Sequence, residues 1–232
     1  PIIGCELWLS HASRLEKKKV PGIPNAYPLV LLAKNQIGYK NLCKLTSAGY
    51  VDGFYYKPRI DKQLLKKHSE GLICFSGSIN AKIPYLFLNE DKELEEEVLW
   101  HKDVFGEDFY FELQRHSMSD ENLQNDGMYK ESWLIQKYED YIARQSKLNI
   151  GVLELSKKYD IPCVATNDVH YINKEDWKGH EILLNVQGGE PCEIWERDSQ
   201  GNPKQRVPNP KRKVYPTHEF YFRSPDEMKS IF

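Results

Sequence analysis

Ile161-Pro-Cys-Val-Ala-Thr-Asn-Asp-Val-His-Tyr171 changes character half-way along. Ile161, Cys163, Val164 and Ala165 form a short apolar run after the turn-favouring Tyr159-Asp160, so the first half reads as a buried strand. The second half is polar. Asp168 and His170 stand two residues apart, and in an extended chain both side chains project to the same side. A carboxylate and an imidazole converging where a strand ends can ligate a metal or share a proton. The same residues also read as a strand-to-helix loop in which Asp168 hydrogen-bonds the backbone and His170 packs. The rest of the chain has to separate the two readings.

Other apolar runs recur at 2–9, 27–33, 71–75, 108–113 and 219–222 and predict strands. The first is expected to end near Glu6. Between the runs lie helical patterns. Ile37, Leu42, Leu45 and Ala48 have helical spacing, Asp61 caps a short helix to His68, and a helical pair over 79–105 is stopped by Gly106. A long helical region covers 122–158, with breaks expected at Gly127 and around residues 149–150. Asn173 caps a further helix to about residue 187, and Ser224-Pro-Asp-Glu227 is a capping box opening a last one. Residues 188–213 are rich in Pro, Gly, Asn and charge and predict a flexible loop or insertion. Continuous apolar strands alternating with helices mean strands covered on both faces, hence an α/β chain with a mainly parallel sheet. Closed, such a sheet is a barrel; open, it is doubly wound. Either way, chemistry gathers at the carboxyl ends of the strands.

A chain of 232 residues is one large domain or one and a half small ones, and 40% apolar with 28% charged residues suits a soluble globular core. The net charge of −2 excludes a chain that binds polyanions over its whole surface, so nucleic acid would be held at a local patch. Five scattered cysteines without a Cys-x-x-Cys pair fit reduced, buried thiols in the cytoplasm. No signal peptide or membrane-spanning run is visible. The chain opens at Pro1-Ile-Ile-Gly without a methionine and is expected to be an excised segment whose first elements lie upstream.

Collected at the expected strand ends are Glu6, Ser76 to Ser78, His116, and Asp168 with His170. Glu, His and Asp on one rim suit a divalent metal or a phosphate. His11, His68, His101, His180 and His218 are expected to pack or lie on the surface. Lys17-Lys18-Lys19 reads as solvated surface. Lys204, Arg206, Lys211, Arg212 and Lys213 form a basic run that either touches a phosphate backbone or is simply solvated. No Ser-His-Asp arrangement, P-loop or G-x-G-x-x-G is present, which excludes P-loop nucleotide hydrolysis.

The motifs KPRID at 57–61, GLICFSGS at 71–78, DFYFELQRH at 108–116, IPCVATNDVHY at 161–171 and EFYFRSPDEM at 219–228 together resemble one family over residues 1–232. It is the PHP (polymerase and histidinol phosphatase) domain of the bacterial DNA polymerase III alpha subunit. The resemblance implies a distorted (β/α)7 TIM-like barrel, truncated at its N-terminus, with a metal cluster at the strand ends serving a 3′–5′ exonuclease. Glu6, Asp168 and His170 match ligand positions of that cluster, and His116 matches a histidine frequent at its strand end. Two positions depart from the pattern. Active members carry a histidine where Pro28 stands and a cysteine or histidine where Ser78 stands; proline has no side-chain donor and serine is a poor ligand. The H-x-H of the first strand would precede Pro1. The resemblance therefore implies a degraded, mainly structural site for Zn, Mn or Fe, inside a parent nucleotidyltransferase that uses Mg in another domain. It further implies DNA, a proofreading subunit and a sliding clamp as partners through that parent, in the cytoplasm and away from membranes. The alternative is a stand-alone phosphoesterase of the histidinol phosphatase kind.

Overall fold

Polar caps fix where the helices begin. In the computed structural model, which describes residues 2–232, the Asn35 side chain accepts from the Ile37 and Gly38 amides and starts helix α1 (Gln36–Val51). Asp61 likewise accepts from Leu64 N and starts α2 (Lys62–Lys67). The α3 (Lys82–Leu88) and α4 (Leu94–Phe105) pair follows, with α4 ending at Gly106 as expected. Gly127, in the left-handed region at φ 72°, separates α5 (Asp120–Asn125) from a 3-10 turn (Met128–Lys130) that leads to α6 (Ser132–Tyr159). Helix α6 runs unbroken through residues 149–150. Asn173 and Asp176 form a capping box ahead of α7 (Trp177–Gly188), and Ser224 with Glu227 forms another around Pro225 at the start of α8 (Pro225–Ile231).

Six strands make one sheet: β1 (Gly4–Ser10), β2 (Ala26–Ala33), β3 (Arg59–Ile60), β4 (Leu72–Phe75), β5 (Phe109–Gln114) and β6 (Cys163–Thr166). Their order is β3-β1-β2-β4-β5-β6. The β1–β3, β4–β5 and β5–β6 pairs are parallel, but β2 runs antiparallel to both β1 and β4. The sheet is thus mixed. It is also open among the described residues, with β3 and β6 at its edges, and the closed barrel expected from the resemblance is not formed. One face is a continuous apolar layer, with Leu7, Leu9, Leu31, Cys74, Phe109 and Phe111 all buried.

Three expectations need correction. The first strand begins at Gly4 and runs past Glu6 to Ser10, because its ladder with β2 extends from Gly4–Leu32 to Ser10–Ala26. Ile2 and Ile3 precede that ladder and are exposed, while Pro1 lies outside the described residues. Residues 219–222 form no strand beyond one parallel bridge, Tyr171–Tyr221. The Glu219 and Tyr221 carbonyls, which a ladder would use, accept instead from the Asn167 amide at 3.0 and 2.7 Å. The segment expected to be a flexible loop holds an antiparallel hairpin, β7 (Glu193–Arg197) and β8 (Pro203–Pro208). Its turn is closed by Asp198, whose carboxylate accepts from the Gln200 and Asn202 amides, and by Gly201 at φ 89°.

The chain divides into two compact units: residues 1–114 with 144–166, and residues 115–143 with 167–232. The first holds the six-stranded sheet; the second holds α5, α7, α8 and the hairpin.

Candidate active site

Two residues beyond the end of β6 the backbone turns sharply. Asn167 is buried and clamps residues 219–221 through its side chain, and Asp168 takes φ 46°, the left-handed region that an Asp tolerates better than most residues. The His170 amide then donates to Phe220 O at 2.8 Å. This local path brings the predicted pair together. Asp168 Oδ1 lies 3.7 Å from His170 Nε2, with both side chains about one-third exposed. The His170 ring lies against His180, Tyr215 and Phe220, at centroid separations of 5.3, 4.9 and 5.5 Å. Burial, with His170 beside it, holds the His180 imidazole below its ordinary range. His180 was expected only to pack. Its stacking on His170 comes from tertiary contacts that no spacing in the sequence announces.

His116 belongs to the same unit but does not serve as expected. It is fully buried, with Nε2 3.0 Å from Asn167 O and Nδ1 2.9 Å from the Tyr141 hydroxyl. A carbonyl only accepts, so Nε2 carries the proton and Nδ1 accepts from Tyr141. Both nitrogens are engaged within the fold, by the Asn167 carbonyl and the Tyr141 hydroxyl. Burial pushes this imidazole down to about 4 from its ordinary 6.5, against the opposing pull of the Asn167 carbonyl and Asp168. Between those two values the unfolded chain binds the proton and the folded chain does not, so stability falls as pH falls through that window. The loss reaches about 3 kcal/mol once the pH is below the folded value. Unfolding free energies measured across this range should show a gentler acid slope in His116→Gln, and equal slopes would refute the assignment.

The remaining predicted positions lie in the first unit. Glu6 is exposed in the middle of β1, opposite Val30, and shares a sheet face with Trp8. Pro28 stands opposite Trp8 on β2. Ser76 closes the end of β4 by accepting from Glu112 N at 2.9 Å. Gly77 follows at φ 87°, where a Cβ would collide with Ala81 and lie 3.6 Å from the Pro28 carbonyl. Pro28 and the turn carrying Ser78 are therefore neighbours. Glu112 was missed: this buried carboxylate accepts from Gln114 Nε2 at 2.9 Å and from the Thr166 hydroxyl. The alternation Tyr110, Glu112, Gln114 within the DFYFELQ run was the available signal.

The PHP domain profile matches residues 1–116, half of the chain. The chain belongs to the PHP domain family. Over 232 residues, all of this chain, it is 47% identical to the DNA polymerase III subunit alpha of Chlamydia trachomatis serovar D, covering 18% of that protein. The same-named protein of Borreliella burgdorferi is 39% identical over 233 residues, with 17% of it covered. That of Thermus aquaticus is 35% identical over 234 residues, with 16% covered. The chain thus spans less than a fifth of the length of these curated relatives.

PHP domains imply divalent metal, but the donor set of this one does not fit a metal centre. Among the described residues no three His, Cys, Asp or Glu side chains group so as to hold an ion. In the second unit Asp168 and His170 are two donors, and the third candidate, His116, is committed elsewhere.

One residue of the basic run is held by ion pairs within the fold. Arg212, with its side chain 8% exposed, donates to Glu131 at 2.6 and 3.0 Å and to Glu181 at 2.9 Å. Burial works against its charge, but the bonds from both carboxylates outweigh it and hold the guanidinium above its ordinary value. Two acids neutralise it and tie Arg212 into the fold beside a cavity of about 270 Å³. Lys211 and Lys213 remain exposed. No helix among the described residues is long and apolar enough to cross a membrane.

Proposed function

We propose that this chain is the PHP region of a replicative DNA polymerase alpha subunit, and that its hydrolytic site is a remnant with a mainly structural role. One observation carries the first half: unbroken similarity over the whole chain to proteins named DNA polymerase III subunit alpha, down to 35% identity in Thermus aquaticus. The parent would be a DNA-directed DNA polymerase acting in cytoplasmic DNA replication, using Mg in another domain. DNA, a proofreading subunit and a sliding clamp would be its partners. The parallel β4–β5–β6 segment is what supports a PHP-type (β/α)7 barrel in that parent, with further strands added at the open edges.

The donor chemistry supports the second half. Proline occupies one ligand position of the family, serine occupies its neighbour, and His116 is locked. Asp168 and His170 remain as a ligand-type pair in the second unit and Glu6 as a single carboxylate in the first, too few in either unit for a tight cluster of Zn, Mn or Fe. What this chain's own residues still do is local. His170, beside Asp168, retains an exposed edge that can hydrogen-bond a phosphate oxygen, and Asn167 fixes the turn that presents both.

Metal analysis and nuclease assays of the purified full-length protein test this. Less than one tightly bound ion per chain is expected, with Asp168→Asn leaving any degradation of single-stranded DNA unchanged. Three ions per chain, lost in His170→Ala, would overturn the remnant reading and leave the replicase assignment standing.

A further inference from the structure

We propose that the loop carrying Lys17-Lys18-Lys19 and the turn at Tyr55-Tyr56 form one contact surface for single-stranded nucleic acid. It lies within the first unit and stands independently of the Asp168–His170 site. A single buried guanidinium builds it. Arg59, 2% exposed, donates to Glu16 O at 2.8 Å and Arg14 O at 3.0 Å, which pins the loop immediately before the three lysines. Its other donors reach Asn25 Oδ1 and Gly53 O, both at 3.1 Å. Asn25 in turn donates to Tyr55 O at 3.1 Å, and the Arg59 guanidinium lies 5.1 Å from the Tyr55 ring centroid. The lysine loop and the tyrosine turn therefore grip the same group. Arg14 anchors the loop a second time, through Asp61 at 3.0 Å.

What this scaffold presents has the chemistry of a strand-binding surface. Lys17, Lys18 and Lys19 are all exposed, and none takes part in an ion pair among the described residues. They form a local cationic patch on a chain whose net charge is −2. On the tyrosine turn, Tyr56 is 77% exposed and sits at φ 61°, a backbone region costly for a bulky side chain. Its ring meets Tyr55 edge-on at 4.7 Å. An aromatic held in a strained conformation and turned to solvent gains nothing for the fold by burial. An exposed ring on one loop and unpaired ammonium groups on the other, both loops anchored on Arg59, match the two recurring elements of a single strand, stacked bases and regularly spaced phosphates. Duplex DNA offers the phosphates but keeps its base faces stacked inside.

The test measures binding of a fluorescein-labelled oligothymidylate to the full-length protein by anisotropy, as a function of salt. Replacing all three lysines (K17A/K18A/K19A) should flatten the slope of log K against log salt by about 2, since each lost contact to a single strand removes about 0.7. Tyr56→Gly should weaken binding about tenfold at every salt concentration. It should not lower the melting temperature, because glycine is unstrained at this φ. Thiothymidine in the probe should cross-link to peptides spanning 14–20 and 54–57. An unchanged slope in the lysine variant, or an equal change on removing Lys147, Lys157 and Lys158 instead, overturns the proposal. So does unaltered affinity in Tyr56→Gly. Cross-links confined to other segments would sink this surface alone; failure of the unaltered protein to bind DNA at all would sink the replicase reading too.

Discussion

Replacing Arg59 with methionine will lower the unfolding free energy by about 4 kcal/mol, about 1 kcal/mol for each of four acceptors left without their donor. Four acceptors depend on this side chain: the carbonyls of Arg14, Glu16 and Gly53, and the Asn25 side chain. Methionine fills the volume and supplies no donor, so each acceptor must find water or stay unsatisfied in a buried site. Burial already pulls the Arg59 guanidinium below its ordinary value, with Tyr55 partly restoring it, as expected for a cation surrounded by neutral oxygens. Lysine should rescue little of the loss. One compact ammonium cannot span four acceptors that a planar fork reaches at once. Urea unfolding of Arg59→Met and Arg59→Lys checks this, and a cost below about 1 kcal/mol in either would show that the loops hold their shape without the fork. The same variants should also lose the salt-dependent part of oligothymidylate binding, since Lys17 to Lys19 would no longer be held in place.

Gly38→Ala should destabilise the chain by at least about 2 kcal/mol, where helix propensity alone predicts a gain of up to about 1. Gly38 is buried in the first turn of α1, and a Cβ there would run into the carbonyl of Gly71. That contact is backbone against backbone, so no side chain can swing aside. The Gly71 carbonyl is also engaged, accepting from Lys34 N at 2.9 Å, and Gly71 itself sits at φ 71°. Moving it would disturb the entry to β4 and the link from β2 into α1. A melting temperature equal to or above that of the parent would show that this approach is softer than its geometry implies.

The local signals in the chain were reliable because they act over a few residues. Asp61 and Ser224 cap the helices they were expected to cap, Asn173 caps the 3-10 turn that leads into α7, and Gly106 and Gly127 interrupt helices where expected. The apolar runs at 71–75 and 108–113 are strands, and the Asp168–His170 pair is close in space. Residues 193–208 read as a loop because their turn is built by Asp198 and Gly201 within a polar context that suits a loop and a hairpin equally.

Residue order alone carries the α/β class, most element boundaries, the PHP kinship and the lack of good donor atoms at Pro28 and Ser78. The folded chain decided the rest. It set the antiparallel course of β2, the burial of His116 between Asn167 and Tyr141, the neutralisation of Arg212 by Glu131 and Glu181, and the convergence of two loops on Arg59. The reason is physical. A cap or a turn is satisfied by atoms within about four residues of one another. The availability of a histidine nitrogen or a guanidinium depends on partners tens of residues away, which only the completed packing brings within hydrogen-bond distance.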